Sequence, residues 1–168
     1  HGIAESLYRR YTEEGMSHED AFAHSTEAIT GPISKTISKQ GIKAVYEGMG
    51  ADERPVFERA YMASYPSART ILQEIYDEVS SGNEIRSVNL AGDRLKVAPM
   101  GNIDRTEMWQ TGTGVRAERD EDAIPMDPWT AGVYGGTMMA QIDVLMGGGN
   151  PYSEIANESV IEAVDSLN

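Results

Sequence analysis

The sequence predicts an all-α fold, and two observations carry that expectation. Apolar residues recur at steps of three and four, as in Ile3, Leu7, Tyr8 and Tyr11 and again in Ile71, Leu72, Ile75 and Val79, which is the spacing of one helix face. No window of useful length alternates apolar and polar residues with the period of two that a half-buried strand requires.

The elements follow in order from their start and stop signals. The first helix carries the Ile3 to Tyr11 stripe and ends at Gly15, in the manner of a left-handed C-terminal glycine. Ser17 is the N-cap of the second, with Asp20 at the capping-box position in place of Glu or Gln, and this helix runs to about Thr30. Gly31-Pro32 breaks it and opens a third, in which Ile33, Ile37, Val45 and Tyr46 share a stripe, Lys35, Lys39 and Lys43 form a solvated row, and Gly48 marks the end. Ala51 to Ser64 and Ser67 to Ser80 read as two further amphipathic helices, the second stopping at Ser81-Gly82. From Leu90 to Pro128 the pattern loosens under repeated Gly and Pro, giving a long irregular connector with room for a short helix near Asp104 to Trp109. A helix rich in small residues and Met spans Trp129 to Met146, Gly147-Gly148-Gly149-Asn150-Pro151 interrupts, and a last helix runs from Tyr152 to Asn168.

Composition removes several classes of function. Fourteen Lys and Arg against 27 Asp and Glu leave a net charge of −13, with no cation cluster to neutralise a nucleic-acid backbone or hold an anionic membrane. The absence of cysteine excludes disulfides, thiolate metal sites and cysteine nucleophiles. His1, His18 and His24 are too few and too unevenly spaced for a histidine zinc site, and the last two read as surface residues. The stretch from Ala131 to Met146 contains Gln141 and Asp143 and is shorter than a membrane span. A first residue that is His and an end inside a helix pattern point to a piece of a longer protein.

The candidate chemistry lies on the last helix. Glu158 and Glu162 stand four apart, so both carboxylates share one face with their Cβ atoms about 6 Å apart. Such a pair suits a hard divalent cation that completes its shell with water and substrate. The same spacing also occurs at 74/78, 118/122 and 154/158, and Glu154, Glu158, Glu162 and Asp165 lie opposite Ala156, Val160, Val164 and Leu167, as a solvated face would. One faint internal repeat relates residues 3–30 to about 137–164 at an offset of 134, through Gly15 with Gly149 and Ser25 with Ser159.

Several segments, in order along nearly the whole chain, resemble the plant-type, long-chain class of ketol-acid reductoisomerase. They are Tyr8-Arg-Arg-Tyr-Thr-Glu13, Ile29-Thr-Gly-Pro-Ile-Ser-Lys-Thr-Ile-Ser38, Ser81-Gly-Asn-Glu-Ile-Arg-Ser-Val88, Pro99-Met-Gly-Asn-Ile-Asp104, Thr130-Ala-Gly-Val-Tyr134, Met138-Met-Ala-Gln-Ile142, Tyr152-Ser-Glu-Ile155 and the run from Asn157 to Asn168. The resemblance implies part of a duplicated, knotted helical domain, with residues 1–128 as its first repeat and 129–168 as the start of the second. It also implies a Mg²⁺- and NADPH-dependent conversion of 2-acetolactate or 2-aceto-2-hydroxybutyrate to 2,3-dihydroxy acids. By motif, Glu158 and Glu162 match two of four carboxylates around two Mg²⁺ ions, Glu154 does not, and Leu167 matches an apolar residue lining the substrate pocket. The Rossmann domain for NADPH and the other carboxylates lie outside this chain, so the chain by itself is expected to be inactive. A homodimer or higher homo-oligomer and a plastid location, or a bacterial cytoplasm, are the further implications. The competing expectation is an acidic helical binding or scaffold module without catalysis.

Overall fold

The computed structural model describes residues 2–99 and 101–161, all of whose regular structure is helical. In chain order the helices are α1 (Gly2–Glu13), α2 (His18–Phe22), α3 (Ser34–Gln40), α4 (Ile42–Glu47), α5 (Arg54–Ser80), α6 (Glu84–Val97), α7 (Glu107–Ala117), α8 (Pro128–Gly147) and α9 (Tyr152–Ala156). Wider π turns follow α2 over Ala23–Glu27 and Ile29–Ile33 and follow α9 over Asn157–Ile161, and a 3₁₀ turn spans Ile103–Arg105. The core gathers Leu7, Tyr8 and Tyr11 from α1, Phe22, Ile29, Ile33 and Ile37 from the segment after it, and Phe57, Met108, Tyr134 and Met138 from the later helices.

Helix starts follow the cap chemistry. Ser17 caps α2 as expected by accepting from the Asp20 amide at 3.1 Å, but the return bond of a capping box is replaced, the Asp20 carboxylate accepting from the Ser17 hydroxyl at 2.8 Å rather than from its backbone amide. Asp127 caps α8 by accepting from the Thr130 amide at 2.8 Å, and Pro128 takes the first helical position, where its missing N–H costs nothing. Gly15 closes α1 at φ 96°.

Three expectations need correction. The third helix does not run unbroken to Gly48: Gly41, at φ 87° and ψ 163°, divides it into α3 and α4, which lets Ile37 and Val45 both reach the core. The helices foreseen on either side of residue 65 are one, α5, with Pro66 inside it. An interior proline costs about 3 kcal/mol, and here packing along α8 offsets it, since Tyr61, Ser64 and Tyr65 before the proline and Tyr76 after it all meet α8 or its end. The connector from Leu90 to Pro128 is mostly helical, being the second half of α6, the 3₁₀ turn and α7.

The reason for that third correction is geometric. Gly132 lies on Phe57 and Ala60, Gly136 on Tyr61 and Ser64, and Gly148 on Tyr76, so α5 and α8 run side by side in the same direction. At 1.5 Å per residue α5 is about 40 Å long, and a parallel partner can begin only after the chain has travelled back. The segment from α6 through α7 makes that return, and α7 then packs on α2, with Gly112 against the Phe22 ring.

The faint repeat has a backbone counterpart. The amides of Glu14, Gly15 and Met16 donate to the carbonyls of Arg10, Thr12 and Tyr11, and those of Gly148, Gly149 and Asn150 donate to Val144, Met146 and Leu145, each bond 134 residues from its equivalent. In both places a left-handed glycine follows, then a five-residue α-helix, then a five-residue π turn, His18–Phe22 and Ala23–Glu27 matching Tyr152–Ala156 and Asn157–Ile161. Ser25 and Ser159 are each fully buried at the same place in the turn.

A buried ion cluster holds α7 down. Glu27, 1% exposed, accepts from Arg116 Nε at 2.8 Å and forms an ion pair with Arg119, whose Nε lies 2.6 Å from Oε2 without hydrogen-bond geometry, and Lys35 of the predicted lysine row pairs across the same surface with Glu121. Removing both guanidinium groups strands a carboxylate that cannot reach water. Arg116→Ala with Arg119→Ala is therefore expected to cost about 3–5 kcal/mol, and Glu27→Met, which removes the buried charge itself, distinctly less. Urea unfolding followed by circular dichroism measures both, and equal losses would show that the buried charge is not what the arginines serve.

Candidate functional site

Glu158 sits in the π turn Asn157–Ile161, and the neighbours of that turn decide which way it faces. Ser159 is buried and Val160 packs against the core, while the turn as a whole rests on α3 and α8. Asn157, Glu158 and Ile161 are thereby left exposed, as is Glu154 on α9. Among the described residues no cation pairs with Glu158 and no group of three or more metal-ligating side chains exists. Glu162 and Leu167 lie outside the described residues. Glu158 thus presents a carboxylate that pairs with no described cation, from a turn that rests on α3 and α8, and a hard oxygen donor of this kind could hold a cation such as Mg²⁺ only together with further ligands.

The 134-residue counterpart of Glu158 is His24, and its surroundings are closed. His24 Nδ1 donates to Asp127 Oδ2 at 2.9 Å, and Tyr11 donates to Asp127 Oδ1 at 2.6 Å. Thr130 contacts the Tyr11 hydroxyl at 2.8 Å and donates to the His24 carbonyl at 2.7 Å. Burial, and then the bond to Asp127, push the Tyr11 phenol well above its ordinary range. The cluster contains a His–Asp pair but no activated nucleophile, because both hydroxyls in reach are committed as neutral donors, Tyr11 to the Asp127 carboxylate and Thr130 to the His24 carbonyl. Its effect is to tie α1, the first π turn and the N-terminus of α8 together.

This corrects the reading of His24 as a surface residue, since its side chain is only 33% exposed and bridges two segments 103 positions apart. His18 stays largely open, with Tyr8 Oη at 2.7 Å and Glu107 at 3.3 Å. The sequence signal that was available for the cluster is Asp127-Pro128 with Thr130, a capped helix start. Nothing local announces that Tyr11 and His24 converge on it.

Fold and site together define an all-helical domain that exposes Glu158 on an anchored turn and holds no complete reaction centre among its described residues. The family model "Ketol-acid reductoisomerase, C-terminal domain" matches residues 1–121. The chain is 55% identical over 175 aligned positions to the chloroplastic ketol-acid reductoisomerase of Pisum sativum and 53% identical to that of Spinacia oleracea, in both cases along its whole length. It is 27% identical over 130 positions, 72% of the chain, to a protein of Desulfosudis oleivorans named ketol-acid reductoisomerase (NAD(+)). The chain belongs to the ketol-acid reductoisomerase C-terminal domain family, and it spans 30% and 29% of the length of the pea and spinach proteins.

Proposed function

We propose that the whole protein containing this chain is a plastid ketol-acid reductoisomerase, and that this chain supplies the first helical repeat of its C-terminal domain and the opening of the second. The reaction would be alkyl migration in 2-acetolactate or 2-aceto-2-hydroxybutyrate followed by reduction to the 2,3-dihydroxy acid, within branched-chain amino-acid synthesis. The observation that carries the reading is Glu158, exposed and unpaired by any described cation on a turn pinned by Ser159 and Val160. With Glu162 it would offer two carboxylates to a pair of Mg²⁺ ions, and Leu167 would line the substrate pocket beside them. Bound Mg²⁺ supplies Lewis-acid polarisation of the substrate's oxygens and a template for the migrating group. The chain's own contribution is to bind and orient: the anchored turn fixes the carboxylate's position, so little ordering remains to be done when cation and substrate arrive. NADPH would be held by a domain outside this chain.

The hydrogen-bond pattern repeated at 134 residues supports a duplicated origin. It also supports a single metal site for the two repeats. His24 and Ala28 stand where Glu158 and Glu162 stand in the second repeat, and His24 is engaged with Asp127. Homo-oligomerisation of the whole protein completes the reading.

The test follows NADPH absorbance with pure whole protein, Mg²⁺ and either 2-aceto substrate. Turnover is expected from the whole protein and none from residues 1–168, and a folded whole protein without Mg²⁺-dependent oxidation of NADPH on either substrate would sink the reading.

A further inference from the structure

The two repeats hold the same turn in two conditions. Ser25 and Ser159 each stand third in a five-residue π turn, and both are 0% exposed. Ser25 donates to the Ala21 carbonyl, four residues back, at 2.6 Å. Ile155 is the counterpart of Ala21, yet the Ser159 hydroxyl has no hydrogen-bond partner among the described residues. A buried hydroxyl that is unpaired and cannot turn to water costs free energy, and native proteins keep few such groups without a use. The residue before each serine differs in the same sense. His24, before Ser25, is held by Asp127 at 2.9 Å. Glu158, before Ser159, is exposed and pairs with no described cation. So the inward hydroxyl is bonded where the outward side chain is held, and unbonded where it is not. The connection between the two runs through the main chain: a bond from Ser159 to the Ile155 carbonyl spans the backbone of Ala156, Asn157 and Glu158, and it fixes the direction in which the Glu158 side chain leaves. π turns recur at functional sites for this kind of aiming.

We infer that Ser159 is a positioning residue for Glu158: its hydroxyl closes onto the Ile155 carbonyl when the Glu158 carboxylate ligates a divalent cation, and the closed bond stiffens the turn behind that carboxylate. The inference rests on the metal-binding reading of Glu158 above and adds a residue to it. Such coupling is reciprocal, so the bond raises cation affinity by as much as ligation favours the bond. The whole protein is examined in EDTA and in Mg²⁺, by calorimetry and by amide hydrogen exchange resolved to short peptides. Ser159→Ala is expected to weaken Mg²⁺ binding about 5- to 10-fold, the value of one hydrogen bond. It should leave exchange over residues 155–161 unchanged in EDTA and remove most of the slowing that Mg²⁺ brings there. Ser25→Ala, which loses a bond already made, should speed exchange over residues 21–27 in both conditions and leave Mg²⁺ affinity unchanged. Full Mg²⁺ affinity in Ser159→Ala, or faster exchange over 155–161 in EDTA, overturns the inference. Glu158→Gln tells that failure from failure of the reading beneath it. If Glu158→Gln also keeps full Mg²⁺ affinity, Glu158 is no ligand and both fall; if it weakens binding where Ser159→Ala does not, only the role of Ser159 falls.

Discussion

Glu158→Gln together with Glu162→Gln is expected to lower kcat of the proposed whole enzyme about 1,000-fold or more, equivalent to about 4 kcal/mol of transition-state stabilisation. Glutamine keeps the shape of each side chain but gives up its charge, and a hard divalent cation binds charged oxygen far better than amide oxygen. Glu158 is exposed and takes part in no described ion pair, so its substitution removes no contact that holds the turn. Ser159, Val160 and Ile155 continue to anchor it. Glu158→Gln alone should therefore leave stability within about 0.5 kcal/mol, as for other exposed positions, while in the doubly substituted protein Mg²⁺ binding measured by calorimetry with NADPH present should weaken in step with activity. Unchanged Mg²⁺ affinity in the doubly substituted protein would return the two glutamates to the solvated face that their spacing equally allows.

The second large effect is on the fold. Gly132→Val should destabilise the protein by about 3 kcal/mol or more, a fall in Tm of roughly 6–12 °C for a domain of this size. A Cβ at Gly132 would lie 2.4 Å from the Phe57 carbonyl oxygen and 2.7 Å from Ala60 Cβ, and at Gly136 2.4 Å from Ser64 Oγ. The first of these contacts is with backbone, which has no rotamer to escape into, so relief requires α5 and α8 to separate and open the core they share. Gly114→Ala on α7, where the added carbon meets nothing within 4 Å, is the control and should be neutral or stabilising by up to about 1 kcal/mol. Equal melting temperatures for the two variants would mean that the close approach of α5 and α8 is not a constraint.

Much of the local structure was legible because its causes are local. Ser17 with Asp20, the left-handed Gly15 and the Gly147-Gly148-Gly149 interruption each act through one or two backbone hydrogen bonds between near neighbours. The offset of 134 was legible only as two matching residues, because hydrogen-bond pattern is conserved by geometry whatever side chains decorate it. The candidate site divided the same way. Glu158 and Glu162 are visible as a spacing, yet the spacing is shared by other acidic pairs in the chain, and the family resemblance raised them above the rest. The cluster of Tyr11, His24, Asp127 and Thr130 was invisible, since its members are brought together across more than 100 residues by packing that no window contains.

By itself, then, the sequence determined the all-α class, the caps, most breaks and the family. Tertiary structure alone decided that α5 continues through Pro66, that Gly41 turns the chain, that α8 lies parallel to α5 and that the stretch after Leu90 is largely helical. The physical reason is one of scale. Caps and breakers bias the backbone by about 1–3 kcal/mol at a single site, whereas a long helix seated along another sums many contacts and can override any one of them.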